Sequence, residues 1–133
     1  MREYVRQQTA ALLRKWAAAL HQAAKDAGPD SIHDVRVATR RLSRCLRVFA
    51  PFYPDSHWKK IRRQLSALMS AAGAVRDCDI AMELVQQAGA RPRAAVMTRL
   101  AAERRKNGDD LLLEIRRWKR RSVQRKWKSR LDV

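Results

Sequence analysis

Residues 31–49 read SIHDVRVATRRLSRCLRVF, and this stretch decides the fold class. Its apolar side chains recur every three or four residues, at Val35, Ala38, Leu42, Cys45, Leu46 and Phe49. That period places them on one face of an α-helix with 3.6 residues per turn. We therefore predict a helix over about residues 31–50 that is capped by Asp30 or Ser31 and stopped by Pro51 and Pro54.

The opposite face of this helix carries a row of basic groups. Their spacing of three, four, four and three residues keeps them within about 80° on a helical wheel, with one group per turn of about 5.4 Å. We call this row the ladder; its members are His33, Arg36, Arg40, Arg44 and Arg47, and Arg41 flanks it. Like charges on successive turns repel each other. The ladder is thus interpreted as a surface for a polyanion, the alternative being a solvated helix face.

Amphipathic periods predict further helices on both sides. One covers about residues 3–26 and ends at Gly28-Pro29, and another starts near Asp55 or Ser56 and loosens at Gly73. Asp77 then resembles the N-cap of a short helix over residues 78–87. A single last helix is expected over residues 92–121, because its apolar stripe stays in phase across Gly108, at Val96, Leu100, Leu111, Ile115 and Trp118.

These elements predict an all-α fold, an antiparallel bundle of about four to five helices. The 133 residues suit one domain, which we place at residues 1–121. Residues 122–133 are expected to form a frayed basic tail. No apolar segment resembles a signal peptide or a membrane span, so a soluble, cytoplasmic protein without membrane partners is expected.

Charge composition indicates the class of partner. The 30 Lys and Arg residues outnumber 13 Asp and Glu, for a net charge of +17. Arginine supplies 22 of these cations, and its planar fork matches phosphate oxygens. Lys59, Arg62 and Arg63 share one flank of the third helix and would line a groove beside the ladder if the two helices pack as a hairpin. A plain solvated flank is the alternative.

Catalytic and metal-binding patterns are missing from the sequence. His33 shares no ligand spacing with another histidine, and Cys45 and Cys78 match no metal or redox motif, so both are expected to be reduced thiols. Asp77 and Asp79 lie close together, but capping by Asp77 beside a paired Arg76 explains them without a metal. We expect no enzyme activity, no metal and no cofactor.

Two segments carry a resemblance to a known family. Ile32-His-Asp-Val-Arg-Val-Ala-Thr-Arg-Arg-Leu-Ser-Arg44, followed about thirty residues later by Gly73-Ala-Val-Arg-Asp-Cys-Asp-Ile80, resembles the CHAD family (conserved histidine α-helical domain) in order and spacing. The resemblance implies a helical protein that binds inorganic polyphosphate on a basic surface, often at polyphosphate granules. Its basic pattern corresponds here to His33, Arg36, Arg40, Arg41, Arg44, Arg62, Arg63 and Arg76, with Asp77.

Members of that family usually contain two similar four-helix halves, and this sequence matches one. A homodimer would rebuild a two-sided groove, since a two-fold axis pairs identical surfaces. The Glu-x-Glu-x-Lys signature of the triphosphate tunnel domain, to which members are often fused, is absent. That absence favours a binding module.

Nucleic acid is the alternative polyanion. Its phosphates would also give strongly salt-dependent binding, and Trp118 and Trp127 in the basic C-terminal region would stack on bases. Against this, the ladder face offers few side chains that read or stack bases. An amphipathic membrane anchor is weaker still, because these two tryptophans are about 180° apart on a helical wheel.

Overall fold

The computed structural model describes residues 1–133 and contains five α-helices and no β-strand. Their bounds are α1 (Arg2–Lys25), α2 (Pro29–Val48), α3 (Asp55–Gln87), α4 (Ala95–Arg120) and α5 (Val123–Arg130), with one 3₁₀ turn at Ala50–Phe52. The predicted all-α class is confirmed.

Neighbouring long helices run antiparallel. The Trp16 indole N–H donates to Thr39 Oγ1 at 3.2 Å, whereas Thr9 Oγ1 lies 3.5 Å from Cys45 Sγ, so numbers rise along α1 as they fall along α2. The pairs Asp79–Arg104 and Cys78–Asn107 show the same reversal between α3 and α4. Helix α2 also packs on α3, and α4 returns to α1, which closes a four-helix bundle.

Helix α2 begins two residues earlier than predicted. Pro29 occupies its first turn after Gly28, whose φ of −69° and ψ of 173° are those of extended backbone. Proline suits this position because its φ is already helical and its missing N–H would have no partner there. Ser31 is instead buried within the first turn, and no side chain caps the helix, so the predicted cap at Asp30 or Ser31 is wrong.

The predicted break in the third helix is also wrong. Gly73 and Asp77 both lie inside α3, which runs unbroken from Asp55 to Gln87. A glycine costs a helix about 1 kcal/mol relative to alanine. That cost is small beside the continuous buried stripe of Ile61, Leu65, Leu68, Ala72, Val75 and Cys78. Asp77 is exposed on this helix and does not cap one.

Helix α4 passes through Gly108 without interruption, as predicted, although it starts at Ala95 and not at Pro92. Gly108, Leu111, Ile115 and Trp118 are buried. At the N-terminal end the buried residue is Met97, and the adjacent Val96 is exposed, so the predicted stripe is one residue out of register there.

The C-terminal region is not a frayed tail. It forms α5, and Trp127 is 1% exposed, with its ring centroid 4.8 Å from that of Trp16 and 5.7 Å from that of Trp118. Trp118 and Trp127 would face opposite sides of one continuous helix. Ser122, directly before α5, lies in the left-handed region with φ of 52°, and the turn between α4 and α5 brings both rings onto Trp16.

A small polar cluster lies within the core. Thr9 is fully buried and hydrogen bonds through its hydroxyl to Tyr53 and Cys45. Burial raises the pKa of the Cys45 thiol and of the Tyr53 hydroxyl, and the hydrogen bonds from Thr9 oppose that rise. Cys45 and Cys78 are both buried thiols outside any disulfide.

The aromatic cluster predicts a large stability effect at Trp127. Replacing it by alanine removes a fully buried indole and should lower the free energy of unfolding by about 3–5 kcal/mol. Denaturant unfolding followed by circular dichroism measures this loss. Leu113→Ala is the control, since Leu113 is 60% exposed and should change stability by less than about 0.5 kcal/mol. Equal stability of the two variants would contradict the packing of α5.

The raised pKa values of Cys45 and Tyr53 predict weaker folding in alkaline solution. Above the ordinary pKa of 9.0 for the thiol and of 10.0 for the tyrosine hydroxyl, the unfolded chain loses these protons before the folded chain does. The unfolded state then binds fewer protons, so the free energy of unfolding falls as pH rises. Denaturation between about pH 8 and about pH 11 should show this decline, and a Cys45→Ala, Tyr53→Phe variant should decline less steeply. Parallel curves would count against the prediction.

Candidate functional site

The ladder faces solvent because α2 buries its other face. Leu42 and Leu46 have no exposed surface, and they lie against the core shared with α1 and α3. Four ladder side chains are exposed, together with the flanking Arg41: His33, Arg40, Arg44 and Arg47. The fifth, Arg36, is half-buried.

No carboxylate neutralises the ladder. The ion pairs of the protein lie elsewhere, joining Arg6 to Glu3 and Asp132, Arg104 to Asp79, and Arg117 to Glu114. The Nε of Arg36 is buried and has no hydrogen-bond partner. An unmade hydrogen bond at a buried polar atom costs about 1–3 kcal/mol. The four arginines of the ladder are therefore cations without compensating negative charge from the protein.

The three basic side chains predicted on the flank of α3 do come together. They line an open groove of about 570 Å³ with two further residues; the five are Trp58, Lys59, Arg62, Arg63 and Ser66. All five belong to α3, and no ladder side chain lines this groove. The predicted groove between this flank and the ladder is therefore not formed, because the ladder runs beside the α3 groove and supplies none of its lining.

One hydrogen bond ties the groove to the ladder helix. Arg62 donates from Nε to the Ser43 hydroxyl at 3.1 Å, and Ser43 directly precedes Arg44 on α2. The α3 groove therefore lies next to the C-terminal half of the ladder. Because the two helices are antiparallel, the His33 end of the ladder faces the middle of α3, ten residues beyond Arg62.

Trp58 is a groove residue that the sequence reasoning missed, since its period assigned it to the core. The ring is half-buried against the core and also lines the groove. Its indole N–H donates to Asp55 Oδ1 at 3.0 Å, and Lys59 Nζ lies 5.7 Å from the ring centroid. Nothing in the local sequence separates Trp58 from the buried tryptophans, since Trp118 and Trp127 also stand between basic residues.

Arg76 is separated from the α3 groove. It lies fourteen residues after Arg62 on the same helix, about 21 Å away at 1.5 Å per residue. It is half-buried and makes no ion pair, so the predicted pairing with a neighbour is wrong.

Asp79 forms an ion pair that links α3 to α4. Its Oδ1 accepts a 3.0 Å hydrogen bond from Arg104 Nε, and Arg104 also donates to the Ala27 carbonyl at 2.5 Å. This contact joins α3 and α4 to the connection between α1 and α2.

Across the protein, no cluster of three or more His, Cys, Asp or Glu side chains could hold a metal ion. None of the helices combines the length and the apolar character needed to cross a membrane.

The two tryptophans of the basic C-terminal region are not free to stack on bases. Trp118 is 8% exposed and Trp127 is 1% exposed, because both pack on Trp16. The predicted stacking surface of the nucleic-acid alternative is therefore absent from these residues.

Comparison with known proteins identifies the family. Neither the curated proteins nor the solved structures compared with the chain gave a match. The family model of the CHAD domain matches residues 7–132, a range that includes the ladder, the α3 groove and α5. Because the match covers nearly the whole chain, this protein belongs to the CHAD family.

Proposed function

We propose that this protein binds inorganic polyphosphate along the ladder and the adjoining α3 groove. The observation that carries the proposal is the row of exposed ladder cations that no carboxylate of the protein neutralises. The proposed contacts are His33, Arg36, Arg40, Arg41, Arg44, Arg47, Lys59, Arg62, Arg63 and Arg76. Arg76, set apart from the groove, would meet the ligand near the His33 end.

The physical basis is multivalent charge attraction. A single exposed ion pair stabilises by only about 0–1 kcal/mol, so one phosphate would be held weakly. From His33 to Arg47 the ladder spans about 21 Å, which allows several phosphates of one chain to bind together. Each later contact is intramolecular and acts at high effective concentration. Affinity would therefore rise with polyphosphate length and fall steeply with salt.

Two further points favour polyphosphate. The basic groups recur about every 5.4 Å along α2, which suits the dense charge of polyphosphate better than that of a nucleic-acid strand. CHAD domains bind polyphosphate in general, and this chain is one. Location at polyphosphate granules, and a homodimer that supplies a second ladder, belong to the same proposal.

Binding without hydrolysis is part of the proposal. Metal-assisted phosphate hydrolysis uses a metal ion held by several clustered acidic or imidazole groups. The carboxylates nearest to the proposed surface are scattered: Asp34 is exposed on α2, Asp77 is exposed on α3, and Asp79 is paired with Arg104. The proposed surface would therefore hold a phosphate chain on its basic side chains, and the scattered carboxylates form no cluster that could hold a metal ion for hydrolysis.

Nucleic acid is the second candidate, and Trp58 is the observation in its favour. The half-buried ring lines a groove with three cations, an arrangement that can hold a base and its phosphate. Lys59 already lies over this ring, and only one tryptophan is present in the groove. Repeated stacking along a strand therefore has no further platform here.

A competition titration tests the proposed function. Labelled long-chain polyphosphate is bound at near-physiological salt and challenged separately with unlabelled polyphosphate, duplex DNA and single-stranded RNA at equal phosphate concentration. Displacement by polyphosphate alone is the expected result. Equal displacement by either nucleic acid would show generic attraction to the +17 charge and would overturn the preference for polyphosphate.

The ladder prediction is that Arg36, Arg40 and Arg44 changed together to alanine weaken polyphosphate binding by about 10-fold or more. The salt dependence should also flatten, because fewer counterions are released. The matched control is Arg91→Ala, Arg93→Ala, Arg99→Ala, which removes the same charge from exposed positions outside both helices of the surface.

Arg36 is half-buried, so its replacement could also disturb the fold. A second variant with Arg40, Arg44 and Arg47 changed to alanine removes only exposed arginines and therefore separates an effect on binding from one on folding. Circular dichroism checks that each variant keeps its helicity. If both ladder variants bind as tightly as the matched control, the ladder is not the site.

A third prediction separates the two candidate ligands at Trp58. Removal of a base-stacking ring should weaken single-stranded RNA binding by about 1–3 kcal/mol per stacked base. If polyphosphate is the ligand, Trp58→Ala should leave polyphosphate affinity within about twofold of wild type, because polyphosphate has no base to stack. A large loss of polyphosphate affinity in a folded variant would argue against the proposed mode of binding.

A further inference from the structure

A second groove lies on the opposite side of the bundle from the ladder. Helix α1 contacts α2 and α4, and α3 contacts the same two helices, so the face between α1 and α4 is opposite that between α2 and α3. The groove has a volume of about 710 Å³ and is lined by residues of α1, α4, α5 and the turn between α4 and α5. We call it the α1/α4/α5 groove.

The floor of this groove is apolar. Trp16, Leu20 and Trp118 lie beneath it and are buried, and Ala17 and Val123 present partly exposed methyl groups. The tryptophan cluster supports the floor, since α5 packs Trp127 against both other rings. An apolar floor contributes nothing to holding a bare phosphate chain, but it favours a ligand with an apolar body.

The rim of the same groove is basic. Five of its exposed side chains are basic: Arg14, His21, Lys119, Arg125 and Lys128. No carboxylate lines the groove. Lys119 Nζ donates to His21 Nδ1 at 2.9 Å, which holds α4 and α1 side chains together at the rim. None of the five takes part in an ion pair.

Glu114 is the acidic residue of α4 that precedes this region, and it is already engaged. Arg117 Nη1 lies 3.4 Å from Glu114 Oε2, and the Trp118 indole N–H donates to Glu114 Oε1 at 2.6 Å. The positive charge around the groove is therefore left for a ligand.

We propose that the α1/α4/α5 groove binds a small organic phosphate, meaning one or more phosphate groups attached to an apolar or aromatic body. The volume falls within the range of about 300–1,000 Å³ that is usual for small-molecule sites. The body of the ligand packs on Ala17 and Val123, and its phosphates meet Lys119, Arg125 and Lys128. This site is independent of the ladder, which is exposed, elongated and without an apolar floor.

Isothermal titration calorimetry tests the proposal on the full chain with EDTA present, so that the ligand keeps its charge. The probe is ATP, compared with tripolyphosphate, which lacks the apolar body, and with adenosine, which lacks the phosphates. The expected order is ATP tighter than either partial ligand, because only ATP uses both floor and rim. Tripolyphosphate binding as tightly as ATP, or no binding of ATP, overturns the proposal.

A pair of double variants locates the site. Arg125→Ala with Lys128→Ala should weaken ATP binding by about 10-fold, since two exposed charge contacts are lost. Arg91→Ala with Arg93→Ala removes the same charge outside both surfaces and should change ATP affinity by less than about twofold. Equal effects of the two pairs mean that ATP senses only the net charge, and the groove is then not its site. Trp127 is kept in all variants, and circular dichroism verifies the fold.

Discussion

The structure depends on the burial of one narrow apolar stripe on α2. That stripe packs against α1 and α3 at the same time, with Leu42 and Leu46 fully enclosed. A helix with a single buried stripe has only one stable rotation about its axis, because any other rotation would bury arginine and expose leucine. The orientation of the ladder follows from this, since the basic groups lie on the face that the core leaves to solvent.

The aromatic cluster closes the other side of the bundle. Trp16, Trp118 and Trp127 come from three helices, and their mutual contacts anchor a C-terminal helix of only eight residues. An isolated helix of that length is unstable in water, so tertiary packing is what forms it. The same packing brings the basic side chains of α5 beside those of α1 and α4. One protein therefore presents two basic surfaces of different shape, one elongated and polar, the other concave with an apolar floor.

The net charge of +17 works against compactness, and the protein offsets little of it internally. Repulsion among unpaired cations raises the free energy of the folded state, and the apolar core supplies the opposing stabilisation. A polyanion that binds the folded chain would relieve this repulsion and raise the apparent stability. Because the unpaired cations lower the stability of the folded state, this excess of positive charge favours a binding role over that of a scaffold.

The sequence by itself determined the helical class, the faces of α2 and the gathering of Lys59, Arg62 and Arg63, because helical periodicity is a local property. It predicted a break in α3 that does not exist, since Gly73 and Asp77 signal a helix end locally and only the contacts of α3 with α2 and α4 override them. It also missed α5 and the role of Trp58. The α1/α4/α5 groove was decided by tertiary structure alone, because its residues come from distant segments. The turn at Ser122 brings them together, and the packing of Trp127 on Trp16 is the contact that stabilises this turn.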